Sequence, residues 1–104
     1  MFIYNVTAHV EPSVEKEWLE WMEQEHIPEM HKTQKISTTK LFEILSDQDL
    51  GGKSYAVQYH MKDKSVYKSY LKENAAAMRA KVQRKFGDQI LFFRTGLELI
   101  KSCP

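Results

Sequence analysis

Several features that would assign a chain to a specialised class of protein are scarce in this sequence. Its 104 residues include one cysteine, Cys103, so no internal disulfide can form. The 15 basic and 14 acidic residues leave a formal net charge of +1, which gives no electrostatic case for nucleic acid or an anionic membrane as a partner. No apolar run approaches the roughly 20 residues of a membrane helix, and the N-terminal segment lacks the basic region of a signal peptide. We therefore expect a cytoplasmic protein with no nucleic-acid or membrane partner.

Motifs for nucleotides, cofactors and nucleophilic catalysis are also missing. The Gly51-Gly52 pair lies between two strand-like segments, whereas a phosphate-binding loop joins a strand to a helix. No serine or cysteine has the surroundings of a nucleophile elbow. The chain contains no repeat, linker or low-complexity segment, and its length suits one domain. We expect residues 1–104 to form a single domain that uses no cofactor.

The sequence does contain a regular succession of strand-like and helix-like segments. Apolar residues alternate from Phe2 to Val10, as in a strand. A helical stripe follows, formed by Val14, Trp18, Trp21, Met22 and Glu25 with Leu19 and His26 beside it. Pro28 should end or kink this helix and open a short second turn over residues 29–32.

The remainder of the chain repeats this arrangement. Two strands are predicted at Ile36–Leu45 and Ser54–Met61, joined by a turn that contains Asp47, Asp49, Gly51 and Gly52. A long helix over Lys64–Phe86 should end at Gly87, and a last strand covers Ile90–Ile100. The order βαββαβ predicts an α+β, ferredoxin-like fold with a four-stranded antiparallel sheet, both helices on one face, and the first and third strands in its centre.

The alternation within the strands assigns their side chains to the two faces of the sheet. The helix side should carry Phe2, Tyr4, Val6, Tyr55, Val57, Tyr59, Leu91, Phe93 and Leu97. The opposite face should carry Ile3, Asn5, Thr7, His9, Gln58, His60, Ile90, Phe92, Arg94 and Glu98. We expect the polar members of this opposite face to bond to one another, with Arg94 and Glu98 as a pair within the strand or across a dimer, although they could also line a polar cavity.

The opposite face is too apolar to be plainly solvated, and the last strand is a long apolar edge that favours pairing with another chain. We therefore expect a homodimer formed through this face and the fourth strand. The alternative is a monomer whose open face is half solvated.

Several short motifs resemble an uncharacterised bacterial family, a domain of unknown function among the dimeric α/β-barrel proteins of ferredoxin-like fold. The motifs are Tyr4-Asn5-Val6-Thr7, Trp18-Leu19-Glu20-Trp21-Met22, His26-Ile27-Pro28, Tyr55-Ala56-Val57-Gln58-Tyr59, Phe86-Gly87-Asp88 and Phe93-Arg94-Thr95. The resemblance spans nearly the whole chain and implies the fold and a face-to-face dimeric α/β barrel. It implies no catalytic residue. The wider superfamily contains cofactor-free monooxygenases, haem enzymes, isomerases and stress proteins, so its chemistry stays open.

An aromatic cluster between the first helix and the sheet is the candidate ligand site. Its rings either fill the core or surround a pocket for a flat, apolar molecule, and His26 with a tyrosine hydroxyl could orient that molecule. The candidate ligand-binding residues are Trp18, Trp21, Met22, His26, Tyr4, Tyr59 and Phe93.

Two residues are candidates for proton transfer. Glu25 falls in the middle of the apolar stripe, where a poorly hydrated carboxylate would have a raised pKa, unless the end of the helix exposes it to solvent. His26 lies beside it and could instead hydrogen-bond the helix end. Together with Glu29 and His31 these residues offer four potential metal ligands, but their spacing misses the known ligand patterns, and we expect no metal.

Three functions remain open from the sequence. The first is a dimer that binds a small aromatic or apolar ligand without catalysis. The second is a cofactor-independent enzyme, similar to a monooxygenase or isomerase, in which His26 or Glu25 moves a proton. The third is a protein-interaction module. A pocket beside Trp18 would favour the first two, and a solid core would favour the third.

Overall fold

The computed structural model describes residues 1–45 and 51–104. Within these ranges lie four strands, β1 (Phe2–Val10), β2 (Thr38–Ile44), β3 (Lys53–Met61) and β4 (Ile90–Glu98). The helices are α1 (Glu15–Trp21), α2 (Ile27–His31), α3 (Lys64–Glu73) and α4 (Ala75–Phe86), with a π-helical turn (Met22–His26) and two 3-10 turns (Pro12–Val14 and Gly87–Gln89). The predicted turn residues Asp47 and Asp49 lie outside the described residues. The succession of strands and helical units agrees with the predicted order βαββαβ.

The four strands form one antiparallel sheet in the order β2-β3-β1-β4. The prediction that the first and third strands occupy its centre is therefore confirmed. β2 and β4 are shorter than predicted, because Ile36 belongs to the buried core ahead of β2 and the ladder of β4 ends at Glu98. The ferredoxin-like α+β prediction is correct.

The helices form two units, the first over residues 12–31 and the second over residues 64–86. Both units cover one face of the sheet and enclose the apolar core. Even-numbered residues of β1 and odd-numbered residues of β3 supply its sheet side, as the alternation predicted. The largest fully buried side chains of the described core are Trp18, Tyr70, Met30, Met61, Val10 and Val57. Rings make many of the contacts, and Tyr4 packs with centroid distances of 5.4 to 5.9 Å against Tyr59, Tyr67 and Tyr70.

The predicted assignment of the β4 side chains to the two faces of the sheet is reversed. Val6 of β1 is directly opposite Arg94 and Val10 is opposite Ile90, and directly opposed residues share a face of the sheet. The helix side therefore carries Ile90, Phe92, Arg94 and Glu98, and the open face carries Leu91, Phe93 and Leu97, which are exposed. The strand begins Ile-Leu-Phe-Phe, apolar on both sides, so its alternation could not identify the buried face.

The first helical unit does not end at Pro28. Its buried residues are four apart, Val14, Trp18, Met22, His26 and Met30, and in an α-helix such a stripe drifts by about 40° at each step. The π-helical turn, in which the N–H of Ile27 donates to the carbonyl of Met22, reduces this drift. Pro28, which has no N–H, lies in the first turn of α2. The wider turn directs His26 inward and leaves Glu25 exposed, which corrects the predicted stripe.

The predicted single helix over Lys64–Phe86 is two helices that meet at Asn74. Asn74 has φ −125° and ψ −32°, outside helical geometry. The side-chain oxygen of Asn74 accepts a 2.6 Å hydrogen bond from Lys35, which also forms a 2.7 Å ion pair with Glu73. The periodicity of apolar residues continues across the break, which is why the sequence did not reveal it.

The turn before β3 contains a glycine that no other residue can replace without strain. Gly52 has φ +95°, and an added Cβ would lie 2.4 Å from the carbonyl oxygen of Val10. Gly51 also has positive φ, +72°, but among the described residues no further atom lies within 4 Å of a Cβ built there. We expect Gly51→Ala to lower the free energy of unfolding by about 1 kcal/mol through backbone strain alone, and Gly52→Ala to lower it by clearly more. Urea denaturation of both variants checks this, and equal losses would contradict the assigned close approach.

Candidate functional site

A cavity lies between the first helical unit, α4 and the sheet. About 430 Å³ is empty between its lining atoms when the mouth is included, and the centre of a water molecule can reach about 40 Å³ of it. Most of the surface is apolar, and the polar groups come from His26, the tyrosines and two arginines. The lining residues are Tyr4, Val6, Trp18, Met22, His26, Met30, Val57, Tyr59, Tyr70, Met78, Arg79, Val82, Phe92 and Arg94.

The predicted ligand-binding residues are partly brought together here. The cavity is lined by Tyr4, Trp18, Met22, His26 and Tyr59. From the sequence, these residues could either fill the core or surround a pocket. Their elements explain this grouping: the four-residue stripe of the first helical unit faces the alternate residues of β1 and β3.

The other two predicted residues lie elsewhere. Phe93 is on the open face of the sheet, with 66% of its surface exposed, because β4 has the opposite orientation to the predicted one. Trp21 lies outside the cavity and stacks on the ring of His26, with centroids 4.7 Å apart and planes at 16°. Trp21 also meets Phe86 edge to face at 5.4 Å. Trp21 therefore shields His26 from solvent.

His26 is buried, with 6% of its surface exposed, and its Nδ1 atom has no hydrogen-bond partner among the described residues. Burial lowers the pKa of His26 to about 4, because desolvation disfavours the imidazolium; Glu29 opposes the shift and Lys81 adds to it. Glu29 is itself bonded to Lys81, and this bond lowers the pKa of the Glu29 carboxyl. His26 is consequently neutral at pH 7.

Trp18 is a second buried group with an unpaired polar atom. It is 1% exposed and its indole Nε1 has no hydrogen-bond partner in residues 1–45 and 51–104, although its ring packs against Tyr55 at 5.2 Å. A buried donor left without an acceptor costs about 1–3 kcal/mol. Two residues of one cavity thus keep unsatisfied nitrogens. Burial also raises the pKa of the hydroxyls of Tyr59 and Tyr70.

Two arginines that line the cavity were not among the predicted ligand-binding residues. Arg79 of α4 and Arg94 of β4 both line the cavity and are exposed, so they lie at its mouth, whereas Trp18 and His26 are buried in its interior. Arg94 was assigned to the wrong face, and the residues described here contain no ion pair between it and Glu98. Nothing in the sequence singled out Arg79. A correct register for β4 would have revealed Arg94.

The remaining candidates do not form a site. Glu25 is exposed on the outer side of the π-helical turn, beside Trp21, so the premise of a poorly hydrated carboxylate is wrong. His31 bonds Thr39 at 2.8 Å. In residues 1–45 and 51–104, no group of three or more histidine, cysteine or acidic side chains is arranged to hold a metal ion.

The polar side chains of the open face bond mainly to close neighbours. His9 bonds Ser54 at 2.9 Å and the carbonyl of Gly51 at 3.1 Å, and Asn5 donates to Thr7 at 3.2 Å. His60 differs, because its Nε2 atom is buried and has no hydrogen-bond partner in the part of the chain that the structure describes.

Comparison with protein families identifies the chain at the level of its family. A model described as a domain of unknown function, DUF4286, matches residues 1–100. The chain belongs to the DUF4286 family. No curated protein matches it. The family assignment agrees with the motifs in the sequence and brings no assigned activity.

Solved structures with the same fold have low sequence identity to this DUF4286 chain. An ethyl tert-butyl ether D (EthD) family protein from Bacillus halodurans is 13% identical, with a TM-score of 0.70 over 95% of this chain and 100% of its own. A dimeric ferredoxin-like protein from an uncultured marine organism is 10% identical, with a TM-score of 0.66 over 98% and 97%. HapK from Hahella chejuensis is 10% identical, with a TM-score of 0.72 over 100% and 97%. These likenesses establish the ferredoxin-like fold. In the described part of the chain, no helix is long and apolar enough to cross a membrane.

Burial of neutral His26 makes the stability of the protein depend on pH. The unfolded chain binds a proton at His26 near its ordinary pKa of 6.5, and the folded chain only near 4. The unfolded state therefore holds more protons between these values, and the His26 contribution is lost as the pH falls from 6.5 to 4. We expect this loss to reach about 2 kcal/mol by pH 4.5 relative to pH 7.

The His26→Phe variant, which keeps a ring for Trp21 to stack on, should lack this share of the pH dependence. Urea denaturation at pH 7 and pH 4.5 measures it as a difference between variant and wild type. A His9→Gln variant serves as the control, because it loses a histidine on the other face and keeps His26. If the free energy of unfolding fell equally between pH 7 and pH 4.5 in wild type and His26→Phe, His26 would not be held neutral.

Proposed function

We propose that this DUF4286 protein binds a small, flat, aromatic or apolar molecule in the cavity between its first helical unit and the sheet, and that it does so as a homodimer. The observation that carries the ligand proposal is the cavity itself. It is lined by Trp18, Tyr4 and Tyr59, and two of its residues have buried nitrogens without a hydrogen-bond partner among the residues that the structure describes. A core selected for stability alone would fill such a space and pair such atoms.

The cavity is narrow but its walls can adapt. The 40 Å³ that water centres can reach is room for a few water molecules, less than a ring system needs. Three methionines, Met22, Met30 and Met78, line it, and methionine side chains rearrange easily because they are unbranched and flexible. We therefore expect the cavity to widen around a ligand.

A binding role fits the site better than proton transfer. A general base works best when its pKa is close to the working pH, and the pKa of His26 is about 4. Glu25, the other candidate base, is exposed outside the cavity. A neutral histidine is better suited to donate or accept a hydrogen bond with an oxygen or nitrogen of a ligand. These observations favour the ligand-binding function over a monooxygenase- or isomerase-like enzyme, and the cavity favours it over a protein-interaction module.

The open sheet face supports the homodimer. Leu91, Phe93 and Leu97 of β4 and Phe42 and Ile44 of β2 are on this face, each at least 40% exposed. Large exposed apolar patches mark interaction surfaces, and both edge strands offer unpaired backbone groups. One structure of the same fold is described as dimeric. We also propose that the protein is cytoplasmic, in keeping with its one cysteine, Cys103, which is a free exposed thiol.

Light scattering tests the dimer. We expect the wild type at micromolar concentration to have twice the mass of one 12.2 kDa chain, and Phe93→Glu to weaken the dimer, because it places a charge on the open face. The control is Leu71→Glu, a matched change at an exposed leucine of α3, which should remain dimeric. A monomeric wild type, or equal effects of the two changes, would refute an interface on this face.

Calorimetric titration with 2-naphthamide, a neutral two-ring probe, tests the cavity. Ligands commonly gain a binding free energy of about −0.3 kcal/mol per non-hydrogen atom, so we expect a Kd of about 1 mM or tighter. Val82→Phe adds volume at a lining residue and should abolish binding. Leu19→Phe, the same kind of change at a half-buried residue outside the cavity lining, should not. Absence of binding to the wild type would reject the proposal.

A further inference from the structure

We propose that the ligand of this cavity is an organic acid, whose ring enters the cavity while its carboxylate or similar anionic group is bound at the mouth by Arg79 and Arg94. This inference rests on the proposed ligand-binding function and specifies the chemical class of the ligand. It starts from the charge of the site.

Every charged side chain among the described lining residues is positive. The lining contains no aspartate or glutamate, and its two charged residues are Arg79 and Arg94. Of the other polar members, His26, Tyr59 and Tyr70 are neutral at pH 7, because burial lowers the pKa of His26 and raises the pKa of Tyr59 and Tyr70. The mouth therefore carries an uncompensated positive charge next to an apolar interior.

Neither of the two arginines has an acidic partner among the described residues, in contrast to several lysines. Lysines nearby form ion pairs, as in Lys81 with Glu29, Lys35 with Glu73 and Lys85 with Glu17. Within residues 1–45 and 51–104, neither Arg79 nor Arg94 has a carboxylate within 4.0 Å. Their guanidinium groups remain available to an external anion, which arginine binds through two parallel hydrogen bonds.

Neutral groups of the cavity hold both guanidinium groups in place. Arg79 donates a long hydrogen bond, 3.5 Å, to the hydroxyl of Tyr4. Arg94 stacks over the ring of Phe92, 5.3 Å from its centroid, in a cation–π contact. Such contacts orient an arginine without neutralising it. They also join the anion site to the aromatic lining, since Tyr4 and Phe92 both belong to the cavity.

The comparison of 2-naphthoate with 2-naphthamide tests this inference, because the two probes have nearly the same shape and differ in charge. We expect the wild type to bind naphthoate about tenfold more tightly or better, as charge-assisted hydrogen bonds warrant. The Arg79→Gln and Arg94→Gln variants should each lose about five- to tenfold in naphthoate affinity with little change for the amide. Added salt should weaken naphthoate binding only.

Arg84→Gln is the matched control. Arg84 is exposed on α4, as Arg79 is, but lies outside the cavity lining, so this variant removes the same charge without removing a ligand contact. If naphthoate binds no more tightly than naphthamide, or if Arg84→Gln costs as much as Arg79→Gln, the anion site is wrong and the cavity proposal survives. If neither probe binds the wild type, the proposed function fails and this inference fails with it.

Discussion

The spacing of the buried residues along the first helical unit is the constraint on which the site depends. Residues four apart, from Val14 to Met30, face the sheet, and a uniform α-helix cannot keep them aligned over that length. The π-helical turn resolves this conflict just before Pro28. It places His26 in the interior, where Trp21 covers it, and turns Glu25 out to solvent. The position of His26 in the cavity follows from that one widened turn.

Alternation along the strands was enough to predict the fold. β1 and β3 have one apolar and one mixed side, so their buried residues, the order of the elements and the central position of both strands followed from the sequence. β4 was different because its first four residues are all apolar. Its orientation depends on pairing with β1, in which Val6 is opposite Arg94, and such tertiary information is absent from the strand itself.

The same reason explains which part of the site was missed. Trp18, Met22, His26, Tyr4 and Tyr59 follow from local periodicity, and all five line the cavity. Phe93 and Arg94 were exchanged between faces by the error in β4. Arg79 gave no signal, because an arginine next to an apolar stripe usually belongs to a solvated helix surface. The sequence therefore revealed the apolar interior of the cavity and not the charges at its mouth.

The break at Asn74 has a mechanical consequence for this cavity. α4, which follows the break, contributes Met78, Arg79 and Val82 to the cavity lining. α3 and α4 are separate rods joined at one residue of non-helical geometry, and Lys35 ties that joint to the chain before β2. A small change in two backbone angles at Asn74 would swing one wall of the cavity together with one of its arginines.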